Sequence, residues 1–205
     1  MAVNGFGDFT EMHTSFLQEI ANMGAGNAAT ALSTLISSAT DISVPNVKIM
    51  PAAEAAALAD TLSSRTAAYL ITLSGDIKGS LLFVIPFAFA ERLVQTYFPD
   101  VTITARENID EMAVSVIKEA VNIVAASYAN NFAIISGMMV DISVPQAVTA
   151  PSQDIIAVNG AGSANLCFIN NSIEITDCKR SFNVLFYPEL STIKKFMGTV
   201  GIPCE

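Results

Sequence analysis

Hydrophobic positions recur with a helical period over Phe9 to Ser38 and again over Glu107 to Ser136, and both stretches are rich in Ala, Leu, Ile and Met. A segment opened by a polar turn follows each, Asp41 to Met50 and Asp141 to Val148, and reads as a strand. Two hairpins come next. The first runs from Ala67 to Leu73, turns through Ser74-Gly75-Asp76 and returns over Ser80 to Ile85. The second covers Ala164 to Ile169 with a turn at Asn170-Asn171, and a further strand spans Phe182 to Tyr187. Pro86 and Pro188 stand at or near the start of a closing helix in each half. The order helix, strands, helix, met twice, predicts an α+β sandwich with long helices on one face of a largely antiparallel sheet.

The two halves also share letters. Asp41-Ile42-Ser43-Val44-Pro45 recurs unchanged as Asp141-Ile142-Ser143-Val144-Pro145. Upstream, Ser15, Glu19 and Asn22 recur as Ser115, Glu119 and Asn122, at the same offset of 100. In each copy 22 residues separate the Asn from the Pro. The chain therefore reads as one domain built from a duplicated unit with pseudo-two-fold symmetry. Its repeats span about 9–97 and 107–200 and join near residues 97–108.

Composition narrows the class. The chain has 205 residues, 52% hydrophobic and 14% charged, with a mean hydropathy of +0.50, which excludes disorder. The longest apolar run, Leu81 to Ala90, contains Pro86 and falls short of the roughly 20 residues of a spanning helix. No basic and apolar leader opens the chain, so a cytoplasmic protein is expected. Net charge is −9, and the ten basic residues do not cluster, which argues against nucleic acid and against an anionic membrane.

Cys167, Cys178 and Cys204 are too few and too irregular for a zinc site or a disulfide framework, and the first two read as strand residues packed in the core. His13, the single histidine, reads as solvated near a terminus. Asn170-Asn171-Ser172 fits a glycosylation sequon but reads as a hairpin turn. Nothing in this inventory supplies a triad or a metal site.

The repeated polar residues do share a helix face. At 100° per residue, Ser15, Glu19 and Asn22 fall within about 60° of one another, and Gly26, Ala29 and Ser33 continue the stripe. Ser115, Glu119 and Asn122 run on into Ala126, Ala129 and Ala133 in the same way. Leu17, Ile20, Gly24 and Ala28, with Ile117, Ala120, Val124 and Tyr128, form the opposite faces expected to be buried. Each helix thus offers a carboxylate and a carboxamide one turn apart, above small side chains that let a partner backbone approach. Gly24-Ala-Gly26-Asn-Ala-Ala29 fits a dinucleotide fingerprint in letters alone, because the residues before it are helical rather than a strand.

With these residues in place, the chain resembles the CheC-type chemotaxis phosphatases, whose members are of CheC, CheX and FliY type. The family pattern is Asp or Ser, three residues, Glu, two residues, Asn, 22 residues, Pro, and both halves match it. The stretch Glu19-Ile-Ala-Asn22-Met-Gly-Ala-Gly26 resembles the family's first helix, and Gly75-Asp-Ile-Lys-Gly79 its hairpin. The nearest likeness is to the CheC type, since CheX-type members carry one site and dimerise, and FliY-type members carry further terminal regions.

The resemblance implies hydrolysis of the aspartyl phosphate on a CheY-type response regulator. Glu19 and Glu119 would pair with the receiver's lysine, and Asn22 and Asn122 would orient the attacking water. Ser15, Ser115, Pro45 and Pro145 would support them, the serines because some members have Asp there. Gly26, Ala29, Ala126 and Ala129 would form the partner surface. The protein would need no cofactor of its own, with Mg2+ carried by the receiver. It would act as a monomer and also bind CheD. The rival readings are an adaptor that holds CheD or phosphorylated CheY without catalysis, and a flagellar-switch component.

Overall fold

The computed structural model describes residues 4–51, 53–54, 57, 66–105, 109–148 and 165–202. Cys204, Glu107 and the predicted strand start at Ala164 lie outside them. The first helix, α1 (Glu11–Ile36), is followed by β1 (Thr40–Ile42), β2 (Asn46–Pro51), β3 (Thr66–Gly75), β4 (Gly79–Pro86) and α2 (Phe87–Val94). The same order then repeats as α3 (Glu111–Ser136), β5 (Val140–Ile142), β6 (Gln146–Val148), β7 (Asn165–Ile175), β8 (Arg180–Pro188) and α4 (Leu190–Thr199). The expected α+β class holds, with the helices packed against an antiparallel sheet.

Both long helices have 26 residues, and each ends on a left-handed residue, Ser37 and Gly137. Their starts are capped differently. On α3 the Asp110 carboxylate accepts from the Ala113 N–H at 2.7 Å. On α1 the ring Nδ1 of His13 accepts from the Thr10 N–H at 2.9 Å and lies 3.0 Å from the Thr10 hydroxyl, a capping box with imidazole in place of the usual Glu. His13 is buried, not solvated, because this bond and the Phe9 ring 5.3 Å away hold it inward.

Among the described residues eight strands form one sheet in the order β1-β7-β8-β4-β3-β5, with β2 also on β7 and β6 also on β3. The short strands of each half therefore pair with the long strand of the other half. The registers correspond at the repeat offset: Ile42 faces Ile173 and Ile142 faces Leu73, while Asn46 faces Asn170 and Gln146 faces Leu70. Between those pairs three residues, 43–45 or 143–145, stand opposite two, 171–172 or 71–72. This is a β-bulge, and it splits in two what the pattern predicts as a single strand. Ser43 N–H donates to the Ser172 carbonyl at 2.9 Å and Ser43 Oγ accepts from the Ser172 N–H at 3.0 Å. Ser143 does the same with Thr72, both bonds at 3.0 Å. The identical pentapeptide builds the same bulge twice.

The second predicted hairpin turn is misplaced. β7 runs straight through Asn170-Asn171 to Ile175, and the turn falls at residues 176–179. Asn171 is buried and its Nδ2 donates to the Tyr128 hydroxyl at 2.8 Å, so a long-range partner overrides local turn chemistry. Cys178 consequently sits in that turn, half-buried against the core, whereas Cys167 is fully inside. In the first hairpin β3 continues to Gly75, whose φ of +92° and closeness to the Met139 carbonyl leave no place for a side chain.

α1 and α3 pack on each other and on the sheet. The Tyr128 ring of α3 packs against Gly24 of α1, where a Cβ would come within 2.7 Å of it. Asn27 Nδ2 donates to Oδ1 of buried Asn131 at 3.3 Å across the same seam. By length and composition α3 is apolar enough to cross a membrane, but Ile117, Val121, Val124, Tyr128 and Phe132 are buried in the core.

Replacing Gly24 by Ala should cost about 1–3 kcal/mol by overpacking against Tyr128. Gly26→Ala, with nothing within 4 Å, should be neutral or stabilise by up to about 1 kcal/mol. Urea denaturation of the two variants checks this, and equal midpoints would contradict the packing described.

Candidate functional site

Each Glu-x-x-Asn pair lies in the first half of a long helix, on the side away from the core. Glu19, Asn22 and Glu119 are exposed and Asn122 is half-exposed. Among the described residues none of these four side chains is engaged in a hydrogen bond or ion pair. They are held by the helix and left uncommitted. Ser15 and Ser115 are exposed one turn earlier, and the Ser115 hydroxyl donates to the Glu111 carbonyl of its own helix at 3.0 Å.

Pro45 and Pro145 are buried at the two bulges. Gln18 Nε2 donates to the Pro45 carbonyl at 2.9 Å, which ties the first bulge to the helix turn that carries Glu19 and Asn22. Lys118 stands at the matching place on α3, so this tie belongs to the first half. The sequence carries a trace of it in the Gln to Lys difference beside an otherwise repeated pattern.

The partner surface drawn from periodicity needs correction. Gly26 and Ala126 are half-exposed, but Ala29 is only 7% and Ala129 only 5% exposed. The chain folds back over that end of each helix. Thr40, at the start of β1, donates its hydroxyl to the Ala29 carbonyl at 2.7 Å and sits 2.9 Å from the Ser33 hydroxyl. β5 lies against the corresponding end of α3. The open stripe therefore stops at Gly26 and Ala126.

The two halves differ beside the pair. A recess of about 340 Å³ adjoins Ser115 and Glu119, lined further by Leu35, Tyr97, Phe98 and Val116. α1 has Phe16 where α3 has Val116, and the Phe16 ring leans on Phe196 at 5.5 Å. Burial pushes the Cys167 thiol up to about 12, so it stays protonated and is no nucleophile. Among the described residues no three of His, Cys, Asp and Glu gather as a metal site. What the site offers is a carboxylate to meet a cation and an amide that both donates and accepts.

Comparison with known proteins fits this geometry. The model of the CheC-like family matches residues 12–49, and that of the chemotaxis phosphatase CheX matches 67–168. A Bacillus subtilis (strain 168) protein, CheY-P phosphatase CheC, is 29% identical over 143 residues, 69% of this chain and 68% of its own. The chain carries CheC-like and CheX family matches and is homologous to this CheC. The fold is that of FliY from Thermotoga maritima, with a TM-score of 0.70 at 18% identity over 94% of this chain and 97% of that one. It is also that of the Borrelia burgdorferi chain from a CheX-CheY-BeF3-Mg2+ complex, with a TM-score of 0.58 at 14% identity over 82% and 97%. For this CheC-like chain those likenesses establish the fold, and the first family match covers Ser15, Glu19, Asn22 and Pro45.

Gln18→Ala should release the first bulge and speed amide exchange at Asn46 and Val47, while Lys118→Ala leaves Gln146 and Ala147 unchanged. Hydrogen–deuterium exchange followed by mass spectrometry reads both, and equal responses would show that the Gln18 bond does not hold the bulge.

Proposed function

We propose that this protein hydrolyses the aspartyl phosphate of a phosphorylated CheY-type response regulator, with one Glu–Asn pair on α1 and another on α3 as its two sites. The observation that carries the reading is the pair itself, set twice at one register, facing outward and uncommitted, on a scaffold whose halves complete each other's sheet. The relative named CheY-P phosphatase CheC supports it, as does a same-fold CheX captured with CheY, BeF3 and Mg2+.

An acyl phosphate is an activated mixed anhydride, so the work left to a second protein is positioning. Water attacks phosphorus in line with the aspartyl oxygen, the P–O bond to that oxygen breaks, and the receiver keeps its carboxylate. The proton lost by the water passes to the phosphate that leaves. Asn22 or Asn122 holds the water, its Oδ1 accepting and its Nδ2 donating, with no charge to repel the phosphoryl oxygens. Glu19 or Glu119 docks on the receiver's lysine, and Mg2+ arrives with the receiver. Ser15 and Ser115 support the approach, and Pro45 and Pro145 fix the bulge beside it.

The same proposal takes the chain as a single domain of two repeats that acts as a cytoplasmic monomer, with CheD as a further partner. Reciprocal strand pairing supports the single domain, since neither half completes its share of the sheet alone.

Decay of a phosphorylated CheY-type receiver in Mg2+ tests the activity. Asn22→Ala and Asn122→Ala should each keep part of the acceleration, and the double variant should lose about 100-fold, the scale of removing one positioned donor. Undiminished decay with the double variant would remove the asparagines from the reaction. No acceleration by the unchanged protein would leave a binding role.

A further inference from the structure

Nine large apolar side chains are exposed among the described residues: Met12, Met23, Val44, Tyr97, Met112, Ile134, Met139, Val144 and Val200. Four of them form two pairs at the repeat offset, with closely matched exposure. Met12 and Met112 are 57% and 53% exposed, and Val44 and Val144 are 76% and 74% exposed. The others have no such partner: Thr34 and Ala39 stand opposite Ile134 and Met139, and Ile123, opposite Met23, is half-buried.

Exposing a large apolar group costs free energy in an isolated protein, and here the same cost recurs at the same places. Both pairs flank the Glu–Asn pair. Met12 lies three, seven and ten residues before Ser15, Glu19 and Asn22, within about 80° of them on the helix. Met112 has the same spacing on α3. Val44 and Val144 are the residues the bulges push out, held between a Ser paired on both sides with the facing strand and a buried Pro. Gln18, bonded to the Pro45 carbonyl, lies one turn before Asn22, so the Val44 bulge borders the Asn side of the site.

We infer that Met12 with Val44, and Met112 with Val144, are apolar anchors that seat the phosphorylated receiver on each Glu–Asn pair, a reading that rests on the function proposed above. The occupant follows from continuity: whatever the Glu and Asn side chains reach must also cover the methionine on the same helix face and the valine at its edge. Charge points the same way. A net charge of −9 gives no long-range attraction to an anionic phosphorylated face, which leaves short-range contact, the Glu–lysine pair together with the apolar anchors, to hold it. The anchors set binding and the asparagines set turnover. The bulge thus has two roles, with its Pro fixing the frame and its Val presented to the partner.

The test uses the full chain with Met12→Ser/Met112→Ser, Val44→Ser/Val144→Ser and the quadruple change, alongside Met12→Leu/Met112→Leu. Thermal melting confirms that each variant folds. Titration calorimetry with a receiver loaded with BeF3 and Mg2+ reads binding, and phosphate decay across receiver concentration separates KM from kcat. Each Ser pair should weaken Kd and raise KM about tenfold, with kcat within about twofold of the unchanged protein, and the Leu pair should bind nearly normally. Unchanged Kd in the quadruple variant, or a fall in kcat alone, would overturn the anchors while leaving the phosphatase reading intact. Binding that depends on the anchors without any hydrolysis would do the reverse. Self-association of the unchanged protein by sedimentation, lost in the quadruple variant, would assign the face to a second copy and also overturn the inference.

Discussion

The structure depends on the exchange of short strands between halves. β1 and β2 complete the sheet beside β7, and β5 and β6 complete it beside β3, so each half supplies an edge the other lacks. Backbone groups of the long strands would otherwise face water or go unpaired. The exchange also fixes where each bulge falls, because Ser43 and Ser143 are locked to Ser172 and Thr72 on the opposite half. Through Gln18 the first bulge is bonded to the helix that carries Glu19 and Asn22. The placement of that site is therefore a property of the whole sheet.

The seam between α1 and α3 is the second constraint. Tyr128 closes on Gly24 and its hydroxyl accepts from Asn171 Nδ2 on β7, a chain of contacts from one helix through the other into the sheet. Burial raises the phenol well above its ordinary pKa, so it stays neutral and serves as a bonded core group. With their inner faces committed in this way, the helices can present unpaired polar groups outward without loss of stability. Two copies do so, but their surroundings differ: Gln18 against Lys118, and Phe16 leaning on Phe196 against Val116 beside an open recess. The two sites share a frame and have diverged around it.

Much of this was legible in the residues, and for identifiable reasons. The long helices lie within a few residues of their predicted limits because apolar periodicity and caps are local. The Glu–Asn pairs were found because the chain carries two copies of the pattern, and divergence around them made the retained letters stand out. What failed was set by distant partners. Asn170-Asn171 has the chemistry of a turn, yet Tyr128, 43 residues away, draws Asn171 into a buried strand. Ala29 and Ala129 fall on the polar stripe by angle, and only the return of the chain at β1 and β5 covers them. His13 reads as a solvated residue until its bond to Thr10 N–H shows it closing the helix start. No periodicity signals the strand exchange, whose pairings reach as far as Thr40 with Ile175.

Docking of a phosphorylated receiver at both Glu–Asn pairs is best tested by a crystal structure of the full chain with a receiver loaded with BeF3 and Mg2+. The expected result is a receiver on α1 and another on α3, with the Asn22 and Asn122 amides reaching toward the beryllium fluoride and Glu19 and Glu119 against a receiver lysine. A receiver docked elsewhere on the fold, with the asparagines still facing solvent, would contradict it.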